Sequence, residues 1–161
     1  MIRETAITLA APSAPATLLV WIDCDEATLA RWDGESRIER VVSEVPARHE
    51  STGHVRFDPY VRHGGGGAAQ DKIERDRAGH LRAYLTEVAK LIGPDEDVEI
   101  LGPGHVREEL ARLLRDADLE HGRRRVVVTA PSPPLTDRQL IARLRDRMGE
   151  PAPRRRPRRT S

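Results

Sequence analysis

The sequence is poor in aromatic residues and in cysteine. Aromatic residues make up only 3% of the chain, so a hydrophobic core must be built mainly from Val, Leu, Ile and Ala. The single cysteine, Cys24, excludes an intramolecular disulfide and indicates a reducing compartment. No apolar run is long enough to cross a membrane. These absences exclude a disulfide-stapled secreted domain and a membrane-spanning protein, and they predict a cytoplasmic location without a membrane partner.

The first 16 residues lack the continuous apolar core of a signal peptide. They are rich in alanine, with Arg3 near the start, but Glu4, Pro12 and Pro15 interrupt the apolar stretch. We therefore expect residues 1–16 to form a flexible leader.

Positive charge is concentrated at the carboxyl terminus. The formal net charge is +1, but residues 151–161 contain five arginines and no acid, which leaves −4 on the rest of the chain. This segment also lacks Val, Leu, Ile, Met and aromatic residues, so it cannot join a core. We predict a disordered basic tail over residues 150–161, which attracts phosphate backbones without sequence specificity; a solubility tail or a contact with another anionic surface is the alternative. The tail arginines are Arg154, Arg155, Arg156, Arg158 and Arg159.

The first half of the body has the pattern of three strands followed by a long loop. Residues 18–22 form a continuous apolar run, and residues 27–32 and 37–45 follow around a hairpin-type turn at Asp33-Gly34. Residues 46–70 have little periodicity and are too long for an ordinary connection, which indicates a functional loop or a partly disordered one.

The second half alternates helices with strands. A helical pattern begins at Gln70 and ends at Gly93-Pro94. Strands are predicted at 98–101 and 125–129, a helix follows Val106, and a last helix covers 136–148, where Thr136 and Gln139 make a capping box. The apolar face predicted for the first helix consists of Ile73, Leu81, Leu85, Val88 and Ile92.

This order of elements defines the expected fold class. Three leading antiparallel strands and later strand–helix pairs predict an α/β domain over residues 17–149, with a mixed sheet covered by helices. An RNase-H-like arrangement fits the order, and other α/β sandwiches fit it too.

Three segments, taken in order, resemble one family. They are the apolar strand and acidic turn of residues 19–32, the glycine-rich stretch that leads into a long helix at 63–85, and Ile-Leu-Gly-Pro-Gly-His at 100–105. Together they resemble the middle domain of archaeo-eukaryotic class-1 peptide-chain release factors and pelota. Residues 134–142 are similar to the ending of small bacterial relatives, a group that includes proteins related to the hibernation factor Balon. The resemblance extends over residues 17–145.

The resemblance implies a ribosome or tRNA partner. In the family, the glycine-rich loop enters the peptidyl-transferase centre, and a contiguous Gly-Gly-Gln positions the hydrolytic water. Here two alanines separate the last glycine from the glutamine. The resemblance therefore implies a protein that acts by binding, in hibernation, rescue or stress response. The RNA-contacting residues that it implies are Gly64, Gly65, Gly66, Gly67 and Gln70. A flexible loop tip is the alternative for the glycines.

Two other functions stay open. One is a peptidyl-tRNA hydrolase that uses the glycine-rich loop and Gln70, the one candidate catalytic residue, on stalled ribosomes. The other is a protein–protein interaction module without an RNA partner.

The Gly102-Pro103-Gly104 turn opens a helix and predicts a place for an anion. Free backbone N–H groups at a helix start can hold a phosphate, so Gly102, Gly104 and His105 are candidate anion-binding residues. A tight structural turn is the alternative. No Lys or Ser/Thr follows at the spacing of a nucleotide-binding loop, and no cofactor is expected.

Three further groups of residues have conventional structural explanations. Asp23, Asp25 and Glu26 resemble the carboxylates of metal-dependent nucleases, but a solvated hairpin turn is expected there. Cys24 lies between two acids, and we expect it to be a packed strand residue. The histidines are too scattered to predict a metal site; they include His49, His54, His63 and His80.

Overall fold

In the described residues, five strands form one mixed sheet. Three helices cover its two faces. The structure is a computed structural model and describes residues 18–46 and 66–150. The strand order is β3-β2-β1-β4-β5; β1, β2 and β3 are antiparallel, whereas β4 and β5 run parallel to β1. The predicted α/β class, the leading meander and the mixed sheet are confirmed; the RNase-H-like label stays a prediction. The elements are β1 (Leu18–Ile22), β2 (Glu26–Trp32), β3 (Ser36–Val42), α1 (Gly66–Lys90), β4 (Val98–Gly102), α2 (Val106–His121), β5 (Val127–Pro131) and α3 (Asp137–Arg147).

The central strand β1 contributes to a core on both faces of the sheet. Successive side chains of a strand point to opposite faces, so Leu18, Val20 and Ile22 join one core while Leu19 and Trp21 join the other. The first core is completed by α1 and α2, and the second by α3. All five residues of β1 are buried, which explains why this run is continuously apolar.

Helix α3 is attached to the sheet by a buried carboxylate as well as by leucines. Glu99 of β4 is 1% exposed and accepts from the Arg143 guanidinium at 2.7 and 3.1 Å. Arg147 Nη1 lies 2.6 Å from the same carboxylate. The capping box predicted at Thr136 and Gln139 is confirmed, and it satisfies N–H groups at the start of α3.

Among the strands, the bounds of β3 and β5 differ most from the prediction. Strand β3 ends at Val42 rather than at residue 45, because its partner β2 begins at Glu26 and offers no further residues to pair with. Strand β5 begins at Val127, two residues later than predicted. The reason is Arg125, whose side chain turns inward to bind Asp118 and the Gly93 carbonyl instead of joining a strand.

The start of α1 is the largest correction. The helix begins at Gly66, not at Gln70, so Gly66 and Gly67 are helical rather than part of a loop. Extending an existing helix fixes one residue per hydrogen bond, and each glycine costs only about 1 kcal/mol relative to alanine. Ile73, predicted on the apolar face, is 67% exposed, because this part of the helix extends past the core.

Candidate functional site: the projecting end of helix α1 and the adjoining sheet edge

The parallel strands β1 and β4 end side by side at one edge of the sheet, which we call the carboxyl edge. It consists of residues 23–25 after β1 and residues 103–105 after β4. The Asp23 carboxylate closes the first turn by accepting from the backbone N–H groups of Asp25 and Glu26, both at 2.8 Å. Cys24 is therefore a half-buried turn residue, and its predicted position in a strand is wrong.

The second turn depends on a glycine that touches β1. Gly102 has φ +150°, and a Cβ there would lie 1.9 Å from the carbonyl oxygen of Ile22. Arg107 then holds the turn from the next helix, since its Nη1 donates to the carbonyls of Gly102 at 2.8 Å and Gly104 at 2.6 Å. Glycine at position 102 allows β4 to lead into α2 while the end of β4 stays in contact with β1.

The start of α2 has acidic side chains. Its N-cap, His105, makes no side-chain cap, and Glu108 and Glu109 occupy the first turn. The Glu109 carboxylate lies 3.4 Å from His105 Nε2. Carboxylates in the first turn already interact with the positive end of the helix dipole, and they repel an incoming anion. The geometry weighs against an anion at Gly102, Gly104 and His105, and binding there stays a prediction.

Helix α1 meets the carboxyl edge near its middle. A cavity of about 300 Å³ is lined by Arg77 and Leu81 of α1 together with Cys24, Val45 and His105. Tyr84, one turn further, is buried, and its hydroxyl donates to the carbonyl of Asp23 at 3.3 Å. Burial raises the pKa of Tyr84 above its usual range, and the Asp23 carboxylate acts in the same direction. The hydroxyl therefore stays protonated as a donor and fixes α1 to the first turn.

Residues 66–76 of α1 precede this contact and form a projection that we call the α1 arm. Every arm side chain that the structure describes is exposed. At 1.5 Å per residue, the arm extends about 16 Å from its base at Arg77. Its tip contains Gly66, Gly67 and Gln70. The helix thus holds Gly66, Gly67 and the glutamine at its solvent-exposed end.

The structure brings together only part of the predicted site. Gly66, Gly67 and Gln70 lie at the tip of the arm, whereas the Gly102–His105 turn lies at the carboxyl edge beside its base. Outside the described residues lie Gly64, Gly65, Arg154, Arg155, Arg156, Arg158, Arg159, His49, His54 and His63.

Two residues of α1 at its contact with the carboxyl edge were not predicted from the sequence. In the sequence, nothing distinguishes Arg77 from the many other charged residues. Tyr84 was predicted only to lie beside the apolar face of the helix. The helical spacing of Tyr84 with Leu81 and Val88 is the signal that locates it on the packed side.

The described part of the chain has neither a cluster of metal ligands nor a membrane-spanning helix. Within residues 18–46 and 66–150, no three His, Cys, Asp or Glu side chains converge as metal ligands. In the part of the chain that the structure describes, no helix combines the length and the apolar character that crossing a bilayer requires.

No model of a known protein family matches the chain, and no curated protein matches it significantly.

Proposed function

We propose that this chain is a release-factor-like protein of the cytoplasm that associates with the ribosome or tRNA. It acts by binding, in hibernation, rescue or stress response. The observation that supports the proposal is the α1 arm: a helix that presents Gly67 and Gln70 about 15 Å and about 10 Å beyond its base at Arg77. A long helical projection with small residues at its tip is suited to enter a narrow cavity in a large RNA assembly.

The architecture is consistent with this proposal. The sheet order β3-β2-β1-β4-β5 suits the RNase-H-like arrangement expected for the domain that the sequence resembles. The arm leaves this sheet beside the Gly102-Pro103-Gly104 turn and the turn after β1, so all three resembling segments are neighbours in space.

The direct test is co-sedimentation with ribosomes from growing and stressed cells. The full chain should sediment with ribosomes, and Gly67→Glu together with Gln70→Glu should weaken the association. Both positions are exposed, so the domain should still fold. Ala142→Glu on α3 is the matched control, since Ala142 is also exposed but lies on the opposite face of the sheet. Association that is unaffected by the tip variant would contradict docking through the arm.

One observation favours the hydrolase alternative. Positions 66 and 70 are one helical turn apart and lie on the same side of α1. The helix therefore brings a glycine and the glutamine close together although they are not contiguous in sequence. Release of labelled peptide from ribosome-bound peptidyl-tRNA, abolished by Gln70→Ala, would establish this alternative over the binding role.

The interaction-module alternative makes a different prediction. It requires neither ribosomes nor RNA, so full-length protein that fails to bind either one would favour it.

A further inference from the structure

The solvent-facing side of α1 has a row of basic residues that we call the basic stripe. With 3.6 residues per turn, the four positions that form the stripe fall within about 80° of arc around the helix axis. This arc is roughly opposite the side of α1 that packs on the sheet. All four side chains are exposed. The stripe consists of Lys72, Arg75, Arg82 and Lys90.

The stripe is not neutralised by the rest of the described chain. No carboxylate in residues 18–46 and 66–150 forms an ion pair with these four residues, in contrast to Arg31, Arg125 and Arg143, which all have partners. Within the described residues, the one polar contact that a stripe side chain makes is from Arg75 Nε to the backbone carbonyl of Asp71 at 3.1 Å. Asp71 and Asp76 lie one helical turn from Arg75 and Lys72 respectively, at the margins of the stripe, and neither forms an ion pair with it.

Small residues lie between the basic ones. Gly79 falls between Arg75 and Arg82, and a Cβ at Gly79 would meet nothing within 4 Å. Glycine weakens a helix interior, and no packing contact explains it here. Thr86 lies between Arg82 and Lys90, and its hydroxyl donates to the Arg82 carbonyl at 2.8 Å. A bulky ligand can therefore approach the helix backbone closely along the stripe.

We propose that the basic stripe binds the phosphate backbone of an RNA strand lying along α1. The stripe extends for about 27 Å, long enough to contact several successive phosphates. This inference rests on the proposed function, because it supplies the contact between the body of α1 and the RNA around the arm. Charge complementarity identifies the occupant as a polyanion, and the open approach at Gly79 suits a phosphodiester backbone.

The test compares two variants with equal loss of charge. In the stripe variant Lys72, Arg75, Arg82 and Lys90 are all changed to Gln, which keeps good helix propensity. The control variant changes four other exposed arginines without ion pairs in the described chain to Gln: Arg112, Arg123, Arg124 and Arg138. Binding to purified tRNA is measured against salt concentration, with the full chain in each case, and circular dichroism confirms folding.

The stripe variant should bind tRNA more weakly, and its log–log salt slope should be flatter by about two to four, because each lost phosphate contact removes about 0.7–0.9. The control should keep the wild-type slope. Equal flattening in both variants would show attraction by net charge alone and overturn the proposal, and so would no change in either.

A steric variant tests the same surface without changing charge. Gly79→Leu improves helix propensity, so the domain should be at least as stable, but tRNA binding should weaken. Unchanged binding would show that no backbone approaches the stripe and would overturn the proposal.

The two proposals fail in different ways. If the stripe variant loses tRNA affinity while no form of the protein associates with ribosomes, docking on the ribosome through the arm fails and the stripe stands. If ribosome association depends on the arm tip but the stripe variant behaves like wild type, the stripe proposal fails alone. Full-length protein that binds neither ribosomes nor tRNA would overturn both.

Discussion

The backbone of Gly102 lies so close to the Ile22 carbonyl that a Cβ at position 102 would come within 1.9 Å of the oxygen. This contact joins the carboxyl ends of β4 and β1. Two features require glycine at position 102. One is this close contact, and the other is the φ of +150°, which lies on the left-handed side of the Ramachandran map and is unfavourable for other residues.

Gly102→Ala should therefore strongly destabilise the domain. We expect a loss of about 2–6 kcal/mol in the free energy of unfolding, from backbone strain and the steric clash together. Gly104→Ala is the matched control, since Gly104 has φ +62° but open space around its Cβ, and it should lose only about 1–2 kcal/mol. Urea unfolding of both variants provides the comparison. Similar losses would show that the contact with Ile22 has no energetic weight.

The buried ion pair between Arg125 and Asp118 should matter more than any surface pair. Their side chains are 2% and 9% exposed, with Arg125 Nε 2.7 Å from Asp118 Oδ2. Asp118→Ala leaves the Arg125 charge buried without its partner, so we expect the free energy of unfolding to fall by about 3–5 kcal/mol.

The control for this pair is Arg37, whose pair with Asp33 at 2.9 Å is mostly exposed. Arg37→Gln should change stability by less than about 1 kcal/mol. The same urea unfolding assay measures both, and a loss in the Asp118 variant no larger than that of the control would refute the prediction.

The Arg31–Glu96 pair should make stability depend on pH. Arg31 binds the Glu96 carboxylate through two bonds, at 2.8 and 3.0 Å, and this interaction holds the pKa of Glu96 below its ordinary value of 4.5. A carboxyl group with a lowered pKa in the folded state stabilises the fold above its unfolded-state pKa, and loses that contribution as pH falls through the folded-state value.

Glu96→Gln removes this titration. The wild type should therefore be more stable than the variant near neutral pH, and the difference should shrink as pH is lowered below about 4.5. Urea unfolding across this acidic range measures the difference. A constant difference at every pH would show that the charge of Glu96 does not contribute.

Some elements of this fold can be predicted from local sequence, whereas the start of α1 cannot. Residues 18–22 were readable as a strand because burial on both faces makes them continuously apolar. Residues 98–101 are apolar except for Glu99, whose buried carboxylate is bound by Arg143. The last helix was readable because its capping box is local in sequence. The start of α1 was missed because glycines normally mark loops, whereas here they extend an existing helix.

The inward turn of Arg125 was not predictable from the sequence. A charged residue next to Val-rich sequence is consistent with an exposed strand end, and only the fold brings it to Asp118 and Gly93. The basic stripe was open to prediction, since its spacing follows the helical period. The stripe is hard to recognise in the linear sequence, because acidic residues alternate with the basic ones along the chain although they lie on other sides of the helix.

Gln70 at the tip of the arm should support little or no peptidyl-tRNA hydrolysis. Catalysis needs reacting groups held tightly, and a displacement of about 1 Å can cost a hundredfold in rate. Gly67 and Gln70 are separated by two alanines and lie in a helix, which differs from the contiguous motif of the family that the sequence resembles. Peptide release from ribosome-bound peptidyl-tRNA should remain near background and be the same for wild type and Gln70→Ala.

The basic tail should add affinity for RNA that is electrostatic and independent of sequence. Arg154, Arg155, Arg156, Arg158 and Arg159 follow the last core helix, whose packing residues end at Met148. Removal of residues 151–161 should therefore leave the melting temperature of the domain unchanged. Each phosphate contact that the tail makes contributes about 0.7–0.9 to the log–log slope of affinity against salt, so the truncation should flatten the slope for ribosome binding by a few units.

The arm and the tail can be separated in the same assay. The tip variant Gly67→Glu with Gln70→Glu should weaken docking at every salt concentration, because it blocks a specific fit, and it should change the slope less than truncation does. The tail, in contrast, should matter most at low salt, where counterion release is most favourable. Identical slopes for the full chain and the truncated chain would show that the tail arginines do not contact phosphate, and would leave α1 as the sole RNA-binding element proposed for this protein.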